Sequence, residues 1–309
     1  MGSTPYLPST SFLRLAAADL SNQPEADIFV LSDGYKLSFR HYRTPQGSET
    51  AFVFVHGSAG YGAQFHTLAQ ALCAQHGIDV YTFDIRGHGA SATQRGHGVP
   101  DTNRLCEDLQ QFLETVATRF PKVVLGGHST GGGLVLRSIR NGIDDVVSGY
   151  VFLAPYLGLG SPIIRPHFGG WVHIKIGLLA GIFVANFFGI RRFNDARVIS
   201  FDLTSCPDAW RYTPRWSFNM LLAFGPDIWS AKALPIARDK PVLVLAGSAD
   251  QCFVSRSYSE AFSSLAPQSK VVIVDGCGHW DILVSKVTVK HLASSFAQVP
   301  DVACIPHAS

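Results

Sequence analysis

The six cysteines of this sequence never come in pairs. They stand singly at 73, 106, 206, 252, 277 and 304, with no C-x-x-C spacing, which argues against a disulfide scaffold or a zinc site and for reduced thiols. Charge is equally scarce. Only 16% of residues are Asp, Glu, Lys or Arg, and 25 basic residues against 23 acidic ones leave a net charge of +2. That balance removes the electrostatic case for a nucleic-acid partner. No apolar run is long enough to span a bilayer. Residues 1–20 lack the basic start and apolar centre of a secretion signal. The expectation is a soluble, cytoplasmic protein. There is no internal repeat and no low-complexity segment.

What the sequence has is apolar residues, 47% of 309, and 29 glycines. The length suits one large domain, with room for an inserted subdomain. Residues 1–25 are polar, contain Pro5, Pro8 and Pro24, and read as a surface arm. Residues 27–31 and 35–42 flank Ser32-Asp33-Gly34 as a hairpin. Strands follow at 51–55, 78–83, 123–125 and 146–153, separated by helices at 63–75, 101–118 and 134–140. The 101–118 helix shows the right apolar spacing at Leu105, Leu109, Phe112, Leu113 and Val116. Such alternation implies a parallel sheet covered on both faces. It stops at 157 and resumes with strand 241–246, helix 255–265, strand 270–274 and helix 284–296. The expected organisation is a core of 26–156 and 236–300, an insertion of 157–235 and a tail of 301–309.

The most informative stretch is Gly127-His128-Ser129-Thr130-Gly131. It follows a β-branched run and precedes a helix, the setting of a G-x-S-x-G nucleophile elbow. A sharp strand-to-helix turn strains the serine and brings its flanks close to their neighbours, so small residues are required two positions away on either side. The hydroxyl then sits at a helix N-terminus, where partial positive charge favours a developing anion.

A serine needs a base, and sites in open α/β sheets gather at the carboxyl ends of strands. Among 12 histidines that rule selects His279, just past strand 270–274. The base needs a carboxylate to fix its tautomer. Asp250, just past strand 241–246, gives the chain order Ser…Asp…His expected for this elbow. Its rivals are Asp275, close to His279 in a tight turn, and Asp281, read as the start of the last helix. Two backbone N–H groups should hold the oxyanion. Thr130 follows the nucleophile, and Ser58 lies on the loop after strand 51–55, where Gly57 permits close approach.

These pieces, with Val55-His56-Gly57, the stretch from Phe83 to Ser91, Gly247-Ser248-Ala249-Asp250 and Gly278-His279, resemble the α/β-hydrolase fold serine hydrolases. The likeness is greatest to the monoglyceride lipase and lysophospholipase branch, which includes aminopeptidase-type members. The resemblance implies a mostly parallel central sheet with helices on both faces. It also implies an inserted helical cap over the active site and a structural role for the turn at 84–91. His88 and His128 are assigned no proton transfer. No cofactor and no metal are implied. The oxyanion loop, with Gly57, Ser58, Ala59, Gly60, Tyr61 and Gly62, is richer in small residues than is usual in this branch.

Other readings compete. Strand 51–55, a glycine loop, a helix and Asp84 imitate a dinucleotide-binding unit, but glycines 57, 60 and 62 run G-x-x-G-x-G, the reverse of the required order. A non-catalytic binding protein of the same fold is expected to lose Ser, Asp or His, and all three are here. A small-ester esterase or an amidase could use the same machinery. Residues 176–190 are apolar on most sides. They read as a helix buried between cap and core, or as one that lines an acyl pocket on one face and touches lipid with another. Segment 157–235 carries eight Lys or Arg against four Asp, a charge of +4. That combination points to apolar acyl esters such as monoacylglycerol or lysophospholipid, and to peripheral contact with a membrane surface. Cys252 and Cys277, each two residues from a site candidate, are placed where they could pair or be oxidised.

Overall fold

A computed structural model describes residues 10–92, 94–203, 206, 208–226, 236, 239–297 and 299. Cys304, Lys232, Asp227 and the tail at 301–309 lie outside the described residues.

The chain begins with a short helix, α1 (Thr10–Ala16), whose Ser11, Phe12 and Leu15 are buried. This part of the 1–25 arm is therefore docked. A Ser-Phe pair followed by Leu three residues on gives one turn an inward face even in a polar context. Strands β1 (Asp27–Val30) and β2 (Lys36–Tyr42) form the hairpin, and β3 (Thr50–Val55) follows. Then come α2 (His66–His76), β4 (Asp79–Phe83), α3 (Arg104–Ala117), β5 (Lys122–His128), α4 (Thr130–Arg140) and β6 (Gly149–Leu153). The start of the expected strand at 146–153 is instead a one-turn helix, Ile143–Val146.

The insertion holds β7 (Val172–Ile174), α5 (Ile176–Phe187), β8 (Arg197–Phe201), β9 (Arg215–Ser217) and α6 (Phe218–Phe224). It is not purely helical as expected. β7, β8 and β9 form an antiparallel sheet with β8 in the centre. The reason is local: Val198, Ile199, Phe201 and Trp216 are buried, and β-branched and aromatic side chains suit a half-buried pleated surface. The chain closes with β10 (Val242–Gly247), α7 (Tyr258–Leu265), β11 (Lys270–Val274) and α8 (Lys286–Phe296). Asp281 does not open α8. It starts its own one-turn helix, Asp281–Leu283.

The main sheet has eight strands in the order β1-β2-β4-β3-β5-β6-β10-β11. β2 is antiparallel to both its neighbours, and the pairs from β4 to β11 run parallel. β4, β6 and β10 are buried at every position, as strands covered on both faces must be. α3 shows why the helices pack where they do, since Leu105, Leu109, Phe112, Leu113 and Val116 form its buried stripe. This topology brings the loops after β3, β5, β10 and β11 to one edge, beneath the cap.

Candidate active site

Ser129 stands between β5 and α4 with φ 53° and ψ −123°, a strained position of the kind that clusters at active sites. A Cβ added at Gly127 would lie 2.5 Å from Gly131 C and Gly132 N, so the two sides of the elbow touch and admit no side chain there. The serine is further pinned by its N–H donating to Leu153 O (3.0 Å) and by its carbonyl accepting from Tyr156 N (2.8 Å).

Asp250 and His279, from the loops after β10 and β11, meet in the interior. Their side chains are 0% and 2% exposed, and His279 Nδ1 lies 2.8 Å from Asp250 Oδ2. The other carboxylate oxygen accepts from the N–H groups of Cys252 (2.7 Å) and Phe253 (2.8 Å). Both oxygens of Asp250 are thus committed as acceptors, and Oδ2 assigns the proton of His279 to Nδ1. Nε2 is left as the accepting edge. The ring of His279 is 4.7 Å, centre to centre, from that of His128, the residue before Ser129. The rival carboxylates are engaged elsewhere. Asp275 accepts from Ser248 Oγ. Asp281 is clamped by Arg14 through two bonds of 2.7 and 2.6 Å and accepts from Gly278 N. Burial opposes ionisation of Asp281, but Arg14 and Gly278 outweigh it and hold its carboxyl below the usual range.

The loop after β3 passes directly against the elbow. A Cβ on Gly57 would sit 3.0 Å from both His128 O and Ser129 Cβ, which is why glycine is needed. Ser58 and Thr130 line the same cavity as Ser129. Among the described residues, neither of their backbone N–H groups has an acceptor within the protein. From the cap, Trp171 Nε1 donates to Ser58 Oγ (3.3 Å). The cavity walls are apolar, including Trp171, Phe201, Trp216, Leu221, Phe224 and Phe253, and enclose about 40 Å³ of free space. That holds only a few water molecules.

Three residues that the sequence reading did not single out hold the two loops in place. Gln251 Oε1 accepts from His279 N (3.0 Å). Arg165, in the cap, donates from Nε to Asp250 O and Phe253 O (3.0 and 3.1 Å). Ser11, on α1, accepts from Trp280 N and Asp281 N. The position of Gln251 beside the acid was the only signal available. Arg165 and Ser11 arrive from segments whose docking no local pattern announces.

Three other buried histidines, His56, His88 and His128, are structural and neutral. His56 Nε2 accepts from Ile85 N, and His88 Nε2 accepts from Trp216 Nε1 (2.9 Å), which ties the core to the cap. His128 Nε2 lies 3.0 Å from His279 O, so it carries the proton and donates. Burial pushes His56 down to about 4 and takes His88 and His128 well below the ordinary value of 6.5, with a further push on His128 from His279. Because these folded values are depressed, the stability they confer is complete above pH 6.5 and is lost as pH falls toward the folded values. Each histidine should steepen acid destabilisation by up to about 1.4 kcal/mol per pH unit in that range. Urea midpoints measured at pH 7.5, 6 and 5 should fall progressively, and a flat series would contradict the neutral assignment.

The turn at Asp84 is also structural. Its carboxylate accepts from Gly62 N and Ala90 N, and burial raises its pKa. An acid spent this way has no oxygen facing outward for a ribose. Asp250, Cys252 and His279 are the one group among the described residues whose metal-capable atoms lie within 4.8 Å of one another. The oxygens of Asp250 are already used by two N–H groups and the imidazole, an arrangement suited to holding a histidine. Cys252 and Cys277 are both free thiols, and burial, then the Asp250 charge, raises the Cys252 pKa well above its usual value.

Residues 46–283 match the family described as serine aminopeptidase, S33. The rat monoglyceride lipase is 32% identical over 146 residues, 46% of this chain and 46% of that protein. The monoglyceride lipase of Saccharomyces cerevisiae is 28% identical over 144 residues, 44% of each. The chain thus matches under half the length of these relatives. A solved soluble variant of the yeast monoglyceride lipase, in complex with a substrate analogue, superposes with a TM-score of 0.70 at 20% identity, covering 92% of this chain and 98% of that one. The α/β hydrolase GrgF from Penicillium gives 0.64 at 15% identity, with 89% and 98% covered. An elbow serine, a buried Asp–His pair and a glycine loop at one edge of this sheet, together with a family match over most of the chain, place the protein in the serine aminopeptidase S33 family of α/β-hydrolases.

Proposed function

We propose that the protein hydrolyses carboxylic esters of apolar acyl groups, of monoacylglycerol or lysophospholipid type, through an acyl-enzyme on Ser129. The observation that carries this reading is the buried Asp250–His279 pair beside an elbow serine, opening on an apolar cavity. In this reaction His279 Nε2 takes the Ser129 hydroxyl proton as Oγ attacks the ester carbonyl. Asp250 stabilises the imidazolium, and the N–H groups of Ser58 and Thr130 receive the oxyanion. The leaving alcohol takes the proton back from His279, and a water activated in the same way releases the acid. The likeness to monoglyceride lipases supports the substrate class. The free space beneath the cap is about 40 Å³, so under this proposal the cap moves as a long chain enters.

Initial rates on p-nitrophenyl esters from acetate to palmitate test the proposal. Each methylene buried is worth about 0.8 kcal/mol, roughly a fourfold gain in kcat/KM until the pocket fills. Rates that fall steadily beyond butyrate would favour a small-ester or amide substrate, the reading that the tight cavity favours.

The cap also suits a lipid surface. Among the described residues no helix is long and apolar enough to cross a membrane, yet α5 buries only Ile182. Ile176, Phe187 and Phe188 are 74%, 86% and 71% exposed, and Lys175, Arg191 and Arg192 flank them in solvent. An apolar face rimmed by cations fits anionic headgroups. Phe187→Ser/Phe188→Ser should lose sedimentation with anionic vesicles while keeping its rate on a soluble short ester. Unchanged sedimentation would remove α5 from the contact.

A further inference from the structure

We infer that α1 is part of the working site, with Ser11 and Phe12 acting as positioning residues that lock the His279 loop to the cap. The inference rests on the proposed roles of Ser129 and His279.

The contacts bracket the histidine. Ser11 Oγ accepts from the N–H groups of Trp280 (3.0 Å) and Asp281 (2.9 Å), the two residues after His279. On the other side, a Cβ at Gly278 would fall 2.7 Å from Ser11 Cβ and Oγ. The loop therefore bends around Ser11, and glycine at 278 is what allows it. Arg14 fixes the far end by donating two hydrogen bonds to Asp281, whose Oδ2 also accepts from Gly278 N. Phe12, 1% exposed, lies between the loop and the cap. Its ring is 5.1 Å from that of Trp280, 4.8 Å from Trp171 and 5.5 Å from Tyr212. Trp171 in turn donates to Ser58 Oγ on the oxyanion loop.

α1 thus reaches the loop that carries the base through the residues on either side of His279, and the oxyanion loop through a single indole. Without these bonds two adjacent N–H groups lose their acceptor, and the loop is free to settle elsewhere. A displacement of the base by about 1 Å costs on the order of 100-fold in rate. The loss should fall on kcat, because α1 supplies none of the cavity wall that binds the acyl group.

The test uses the full chain and a soluble p-nitrophenyl ester. Ser11→Ala and Phe12→Ala should lower kcat about 10- to 100-fold with KM changed by less than about threefold. Inactivation by a fluorophosphonate should slow in parallel. Phe12→Leu, which refills most of the space, should recover most of the rate. If Phe12→Ala does not fold, Ser11→Ala and Arg14→Gln, the latter at an exposed side chain, carry the test, and melting temperatures identify folded variants. Ser129→Ala and His279→Gln are measured alongside. Should those two keep turnover, the functional reading itself fails. Should they abolish it while folded α1 variants retain kcat within twofold, or raise only KM, the positioning role is overturned.

Discussion

Ser129→Ala is expected to lower kcat by about 10⁴-fold or more and to end fluorophosphonate labelling, with the melting temperature nearly unchanged. The substitution removes one oxygen and little else. The backbone at 129 is held by Leu153 O and Tyr156 N, bonds that alanine keeps. Alanine meets the same penalty at φ 53° as serine does. The flanking contact of Gly127 with Gly131 involves no atom of the serine side chain. The protein should therefore fold and bind ester while failing to acylate. Any residual turnover would come from the proposed oxyanion donors together with substrate binding. A folded variant with turnover within tenfold of the parent would remove Ser129 from the chemistry, and burst-phase acylation measurements would show it directly.

The second large effect is expected at Asp250. In Asp250→Asn the amide has one accepting and one donating end, and the loop decides which faces which. The N–H groups of Cys252 and Phe253 both point at Oδ1, so the amide oxygen stays there and the NH₂ turns to His279 Nδ1. A donor facing Nδ1 forces the proton onto Nε2, and the imidazole then cannot accept from Ser129. The geometry remains and the tautomer is wrong, for which serine proteases lose about 10⁴-fold in kcat with the fold intact. KM should change little. Asp275→Asn should leave kcat nearly unchanged, since that carboxylate serves Ser248, and Asp281→Asn, which loosens the Arg14 clamp, should cost no more than the α1 variants. If either proves the crippling change, the acid is misassigned.

Both expectations start from residues legible before any coordinates. Ser129, Asp250 and His279 lie just beyond apolar runs that only strands explain, and a parallel sheet places its strand ends together. Gly57 and Gly127 were readable for the same reason, because closeness of backbone to backbone selects glycine. The docking of α1 was not readable. Seven residues give no periodicity, and their partners lie some 270 positions away in sequence. The cap was partly readable. Its apolar content was plain, but three-residue strands such as β7 and β9 are shorter than any alternation that could signal them. Residues 176–190 could be read as buried or as exposed, since composition alone does not say which surfaces a neighbour covers. The structure leaves α5 mostly in solvent.

The place where the cap leaves the sheet has a consequence for how such proteins diversify. The insertion departs after β6 and returns at β10, and those two strands are direct neighbours, with Val242 opposite Tyr150 and Leu245 opposite Leu153. Because the two strands run parallel, the exit after Leu153 and the re-entry at Val242, opposite Tyr150, lie at opposite ends of the pair, so the intervening segment recrosses the sheet as well as building the cap, and lengthening its cap portion changes the closure entropy only slowly. A contiguous stretch of coding sequence could be exchanged at this seam without re-registering a single strand. Stitches between cap and core would have to survive the transplant, among them Arg165 to the carbonyls of Asp250 and Phe253, Trp216 to His88, and Trp171 to Ser58 Oγ. Under the proposed function, much of the acyl pocket and the chemistry would sit on separately heritable pieces of one polypeptide, and a recombinant carrying a foreign cap with those side chains retained would test for a new acyl preference.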